Sequence, residues 1–299
     1  MAVTNTPLRY PGGKSVLSPL LADFIVKNNL SDGVYAEPYA GGAGAALNLL
    51  FSEHVREVML NDADKSVFLI WKSILFHTDA FVKLICDTPV NIENWRRQRF
   101  VFKNQDLFSE LKIGFSAFYL NRCNRSGILY AGPIGGQSQS GPWPIDARFN
   151  KLNLVRKIQR IALYGSRISV DNLDAIEFLQ KRVRPISLHE SKMLVYLDPP
   201  YFSKGAQLYM NYYNKEDHEI LSSYLSNRST FKWIISYDDV SEVHELYRRR
   251  EKTIVSLNYF AHSSRVGREL VIFCPDCILP DIQGFAHSAE TRRSGAPCS

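Results

Sequence analysis

VYAEPYAGGAGAAL, residues 34–47, reads in succession as a buried strand, a glycine-rich turn and the first turns of a helix. Glycines between a strand and a helix let backbone N–H groups approach a ligand at the helix end where partial positive charge collects. Downstream, EVMLN (57–61) is a second strand, and Val67, Phe68, Trp71, Ile74 and Leu75 fall on one face of a following helix. Upstream, Val16, Leu17, Leu20, Leu21, Phe24 and Ile25 mark another buried helix face. The rhythm returns with strands at RISV (167–170), MLVYL (193–197), FKWIIS (231–236), TIVSL (253–257) and ELVIF (269–273). Short apolar strands alternating with helices predict an α/β fold whose mainly parallel sheet is covered on both faces.

The glycine turn is not a complete dinucleotide fingerprint, because Leu47 stands where a G-x-G-x-x-G begun at Gly42 would end. Asp62, just past the second strand, stands where a carboxylate can accept both ribose hydroxyl protons of an adenosine-containing cofactor, and is equally a solvated turn residue. PLRYPGGKS (7–15) ends like a phosphate loop but has Leu8 where the first glycine is needed. Its two glycines still permit close backbone approach, and Lys14 at a helix start is suited to an anionic group.

DPPY (198–201) follows the apolar strand MLVYL, at the strand end where open sheets of this class bind ligands. Consecutive prolines fix the backbone and withhold N–H groups from the ladder, so the Pro199 carbonyl is held outward. An Asp198 oxygen, that carbonyl and the Tyr201 ring together suit an aromatic amine: two acceptors for its N–H bonds and a plane for stacking.

The chain has 299 residues, 45% hydrophobic and 22% charged, which excludes disordered and collagen-like classes and suits one large domain or a domain with an insertion. Its 36 Lys and Arg against 30 Asp and Glu lean toward an acidic partner, nucleic acid first. No apolar run spans a bilayer and MAVTNTPLRY lacks a signal-peptide core, so a cytoplasmic protein without a membrane partner is expected. Five cysteines do not make a disulfide framework, and Cys274 and Cys277 lack the second ligand pair of a structural zinc, so no metal is expected and reduced thiols after a strand are favoured.

Between residues 85 and 165 the rhythm gives way to a basic, aromatic segment containing NWRRQRFVFKNQ and a helix around Leu107–Leu120. We read 85–165 as an inserted domain, 1–84 and 166–275 as a discontinuous main domain, and 276–299 as a flexible tail. Residues 132–144, rich in glycine and proline, are expected to form a loop or hairpin tip. Phe108, Leu111, Phe115 and Phe118 have the spacing of a core face.

RYPGGK (9–14), EPYAGGAG (37–44) and DPPY (198–201), in that order, resemble the cofactor motif, glycine loop and catalytic motif of the Dam-type DNA adenine methyltransferases. LNRCNRSG (120–127) is similar to the stretch before that family's DNA-contacting hairpin, and LYMNYYNKEDHEIL (208–221) to the segment after the catalytic motif. The resemblance touches most of residues 7–273 and implies a Rossmann-like seven-stranded methyltransferase sheet with an inserted, mostly helical target-recognition domain. It implies S-adenosylmethionine as cofactor and double-stranded DNA as partner, with adenine methylated on its exocyclic amino group at a specific site. Asp198, Pro199, Pro200 and Tyr201 would form the catalytic motif, acting on an adenine flipped out of the duplex.

By the same resemblance, Tyr10, Lys14, Glu37, Gly41, Gly42, Gly44, Asp62, Asn172, Leu173, Asp174 and Asp198 would line the cofactor pocket. Arg96, Arg97, Asn121, Arg122, Arg125, Tyr130, Arg265 and Arg268 would meet DNA, with Arg99 and Lys103 as further phosphate contacts and Tyr119 and Trp143 as wedge or stacking candidates. Family members that read GATC carry an Arg shortly after the hairpin's Asn-Gly, and no Arg stands between 126 and 147 here, so the recognised sequence does not transfer. A monomer is expected, with any restriction or defence partner open. An RNA or protein amino methyltransferase and a catalytically silent DNA-binding relative remain alternatives.

Overall fold

Tyr35, Ala36, Val58 and Leu60 are excluded from water because they sit on neighbouring parallel strands, β1 (Gly33–Glu37) and β2 (Val55–Asn61), joined by α2 (Gly44–Phe51). Ahead of them a 3-10 turn (Lys14–Leu17) runs into α1 (Ser18–Lys27), which has Pro at an early position where no N–H is needed. The structure, a computed structural model, describes residues 4–10, 13–202, 213–227, 229–261 and 263–281, with the side chains of 256–261 and 263–267 outside the description.

Five helices follow β2: α3 (Lys65–Phe76), α4 (Thr78–Asp87), α5 (Ile92–Lys103), α6 (Glu110–Cys123) and α7 (Lys151–Leu163). Asp64, Asn91 and Asn150 cap α3, α5 and α7 by accepting a backbone N–H of the first turn. Then come β3 (Ile168–Asp171), α8 (Ala175–Phe178), a π-helical turn (Leu179–Val183) and α9 (Arg184–Ser187). The chain continues through β4 (Met193–Leu197), α10 (Lys215–Asn227), β5 (Lys232–Asp238), α11 (Ser241–Leu246), β6 (Lys252–Ala261) and β7 (Ser263–Phe273).

The seven strands form one sheet in the order β3-β2-β1-β4-β5-β7-β6, parallel from β3 to β5, with β7 antiparallel to both its neighbours. This is an α/β fold with a mainly parallel sheet, as the strand pattern predicts. The chain leaves β1 toward β2 on one side and returns to β4 on the other, so the strand order reverses between β1 and β4. That reversal opens a crevice at their carboxyl ends. Val34 pairs with Met193 and Ala36 with Val195, a register that makes the two strands end side by side and launches EPYAGGAG and DPPY into the same crevice.

The expected boundary after residue 84 falls inside α4, and Phe81 of that helix meets Phe115 and Phe118 of α6 edge to face. These rings belong to the same hydrophobic cluster as the sheet residues. Residues 132–144 contain turns and bends, tied in by a single bridge between Asn124 and Pro133. The chain stays fastened past 276: Asn28 of α1 exchanges hydrogen bonds with both backbone groups of Ile278, and Asp23 accepts from Asp281 N–H at 2.6 Å. The remainder of the expected tail lies outside the described residues.

Candidate active site

Where β1 ends, Glu37 is buried and its Oε1 accepts from the Tyr35 hydroxyl and from Ala46 N–H in the first turn of α2. Burial pushes its carboxyl up to about 8. The turn that follows needs Gly41, whose φ is +46° and whose absent Cβ would lie 2.8 Å from the Tyr10 ring. Three groups hold that residue: Tyr10 covers it, Asp62 Oδ2 accepts its N–H at 2.8 Å, and the Trp71 indole N–H donates to its carbonyl at 2.9 Å. Gly42 lies against Tyr10 and Gly44 against Ser15, which brings the amino-terminal segment over the glycine turn.

Asp62 Oδ1 accepts from Asp64 N–H, so both oxygens are fixed by backbone donors while the residue keeps partial exposure. Its carboxyl is raised to about 7, burial outweighing those bonds. The neighbouring Asn61, wholly buried, donates to the Pro38 and Leu173 carbonyls and accepts from Leu173 N–H, tying the loops after β1 and β3 to the end of β2. Asn172 is exposed and bonds the carbonyls of Asp62 and Ala63, while Asp174 caps α8. Glu37, Gly41, Gly42, Gly44, Asp62, Asn172, Leu173 and Asp174 thus share one rim of the crevice.

On the other side of the crevice, Lys14 is buried with its ammonium 3.0 Å from Asp198 Oδ1, 3.3 Å from Glu269 Oε1 and 3.2 Å from the Tyr201 hydroxyl. The expectation that Lys14 faces an anionic ligand is corrected here: it is paired with two carboxylates, Asp198 just past the end of β4 and Glu269 within β7. Tyr201 donates to Glu269, and its ring lies 5.2 Å from the Lys14 nitrogen. Asp198 also accepts from Ser236, which accepts in turn from Tyr196. Burial, then the charge of Glu269, raise the Asp198 carboxyl, and Lys14 opposes them. Pro199 is buried and Pro200 partly exposed beside it, while Phe202 N–H is caught by Asp238 Oδ1.

Arg96, Arg97, Lys103, Arg125, Tyr130 and Trp143 are exposed on the helical segment, Arg97 paired with Glu93 and Arg99 stacked 5.0 Å from the Trp95 ring. Three expected DNA contacts are otherwise engaged. Tyr119 is fully buried with its hydroxyl on the Pro89 and Asn91 backbone, because it faces the α6 core. Asn121 is buried and spends its amide on Arg9 N–H and the Arg9 and Gly127 carbonyls. Gly127, at φ +78°, lets the chain pass where a Cβ would meet the Arg9 carbonyl at 2.4 Å. The Arg122 guanidinium bonds the Arg148 and Pro7 carbonyls, and burial lowers it to about 9. Arg268 is exposed on β7 and pairs with Asp239 at 3.2 Å. Arg265 pairs with Tyr259 in the ladder, and its side chain lies outside the described residues, as do 208–212.

Sequence reading passed over Glu269, Ser236, Asn61 and Trp71 as strand and helix residues. A carboxylate at the head of the apolar run ELVIF was the one visible signal. Cys277 donates to the Cys274 carbonyl at 3.1 Å, and among the described residues no group of three or more His, Cys, Asp or Glu is placed to hold a metal ion. Among the described residues no helix is long and apolar enough to cross a membrane.

The family profile described as D12 class N6 adenine-specific DNA methyltransferase matches residues 10–261. No curated protein matches the chain. Similar solved structures include TrmK of M. capricolum in complex with S-adenosyl-homocysteine, 8% identical, covering 87% of this chain and 69% of that one at a TM-score of 0.36. Another is the rRNA methyltransferase aviRa from Streptomyces viridochromogenes, 9% identical, covering 88% of this chain and 85% of that one at a TM-score of 0.36.

Proposed function

The chain belongs to the D12 class of N6 adenine-specific DNA methyltransferases, and we propose that it methylates one adenine within a specific site of double-stranded DNA after flipping that base out of the stack. The cofactor is S-adenosylmethionine, which supplies an electrophilic methyl group. One copy of the chain acts on the duplex, in the cytoplasm. The observation that carries this reading is the meeting of Asp198 and Tyr201 with the Gly41–Asp62 rim in one crevice at the sheet's reversal point.

The rim suits an adenosine-containing cofactor. Asp62 keeps a spare lone pair on each oxygen, aimed by backbone N–H bonds, for ribose hydroxyls. Tyr10 and the glycine turn give a flat, closely approached wall, and the 172–174 loop closes the far end. In the catalytic motif, Asp198 and the Pro199 carbonyl accept the two amino hydrogens of the adenine while Tyr201 stacks on its ring. Those bonds favour tetrahedral character at the nitrogen and aim its lone pair for in-line displacement. As the N–C bond forms, the bond from the methyl group to sulfur would break with departure of S-adenosylhomocysteine, and the surplus proton on nitrogen would then pass to solvent, so Asp198 orients and stabilises without serving as a strong base. The exposed Arg96, Arg97, Arg125 and Lys103 neutralise phosphates, and the exposed Trp143, with Tyr130 resting edge to face on Phe102, faces the groove.

Single-molecule sequencing of unmodified DNA after expression, against an Asp198→Ala control, tests this. Methylated adenine in one sequence context, with the intact protein only, is the expected result and gives the recognised site. Soluble protein that marks RNA and leaves DNA unmarked would refute the DNA reading.

Asp198 must be ionised to accept both a lysine and an amine, and its carboxyl is raised to about 6. Below that pH the protonated form loses acceptor capacity, so kcat/KM for DNA, measured at saturating cofactor so that Asp62 does not enter, should fall about tenfold per unit as pH drops beneath 6 and level off above it. A profile flat down to pH 5 would remove Asp198 ionisation from the mechanism.

A further inference from the structure

Glu269 is 2% exposed and stands at the β7 position paired with Asp238 of β5 and Val255 of β6, two strands away from the motif that carries Asp198. A carboxylate this deep is costly unless it is bonded to a charge. Its Oε1 takes the Tyr201 hydroxyl and lies 3.3 Å from the Lys14 ammonium, so one oxygen joins the amino-terminal turn to the catalytic motif. Lys14 in turn contacts Asp198 at 3.0 Å. The phenol of Tyr201 and the ammonium beside Asp198 therefore have a common anchor on a strand that carries no catalytic motif.

We propose that Glu269 is a positioning residue for methyl transfer: it fixes the plane of Tyr201 and shares Lys14 with Asp198, leaving Asp198 able to take the target amine. The inference rests on the reading of Asp198 and Tyr201 as the residues that face the adenine. A Lys14 held by Asp198 alone would tighten onto it and compete with the incoming N–H, whereas a second carboxylate weakens that grip. The groups facing Asp198 from the surrounding elements are Lys14 of the 3-10 turn, Tyr35 and Glu37 of β1, Tyr196 of β4, Ser236 of β5 and Glu269 of β7. The charge of Glu269 raises the Asp198 carboxyl and that of Lys14 lowers it.

Two variants separate charge from placement, each assayed as the full chain with S-adenosylmethionine and DNA for kcat, KM and pH profile. Glu269→Gln keeps the shape and removes the charge. We expect kcat to fall roughly tenfold or more, as for a misplaced reacting group, and the acidic limb of the profile to move to lower pH. Glu269→Asp keeps the charge and withdraws the oxygen by one methylene, so kcat should fall while the limb stays where it is. A purely structural role would lower the melting temperature without moving the limb in Glu269→Gln, and that result overturns the proposal, as does a wild-type kcat in Glu269→Asp. Turnover by the unaltered protein in the same assay checks the underlying reading. Its absence overturns both, whereas its presence with an unresponsive Glu269→Asp overturns the positioning role alone.

Discussion

Asp198→Ala should lower kcat for methyl incorporation by roughly 10²–10³-fold, the size of effect seen when one preorganised hydrogen-bonding group is removed from a transition state. The same substitution should leave the melting temperature unchanged or slightly higher. Asp198 is held in its crevice at a cost, since burial and the nearby Glu269 both raise its carboxyl. Its removal leaves Lys14 paired with Glu269 and hydrogen-bonded to Tyr201, so no buried cation is stranded. Loss of activity without loss of stability is the signature of a group kept for function. Asp198→Asn sharpens the test. An amide still presents one acceptor oxygen but no charge to Lys14, so activity should fall below wild type while exceeding that of Asp198→Ala. Equal kcat in the wild-type and alanine proteins, measured at saturating cofactor, would mean that the amine is held elsewhere.

Much of this architecture was legible because the centre of the sheet is buried on both faces. The central strands β1, β4 and β5 show as apolar runs, and MLVYL coincides with β4 residue for residue. The glycine turn showed because only a residue without Cβ tolerates φ +46° beneath Tyr10. The partners from distant strands did not show. Lys14 and Glu269 are 255 positions apart, and nothing in the local pattern says that a lysine after two glycines meets a glutamate in an antiparallel strand. The basic segment misled for a related reason: Tyr119 and Asn121 have the composition of a nucleic-acid surface, yet α6 turns both inward, where their polar atoms tie down neighbouring backbone. Polar residues on a half-buried helix can serve a ligand or the chain itself, and only the three-dimensional partner distinguishes the two.

Trp71→Ala should be the most destabilising single change near the site. The side chain is fully buried in α3, and emptying that volume costs about 3–5 kcal/mol, a large share of the roughly 5–15 kcal/mol that holds a domain folded. Trp71→Phe separates packing from function. It retains most of the ring and removes the indole N–H that holds the Gly41 carbonyl at 2.9 Å, a loss of about 1–3 kcal/mol if the carbonyl finds no water. Gly41 is also fixed through its N–H by Asp62, so the phenylalanine variant keeps one anchor of two and the turn loosens toward the cofactor side. The expected result is a raised KM for S-adenosylmethionine with kcat near wild type at saturation, because Asp198 and Tyr201 sit on the opposite side of the crevice. Urea unfolding and cofactor titration of the two variants read the two effects separately. Cofactor affinity unchanged in a folded Trp71→Phe would show that Asp62 and Tyr10 suffice to shape the turn, and that Trp71 acts through packing alone.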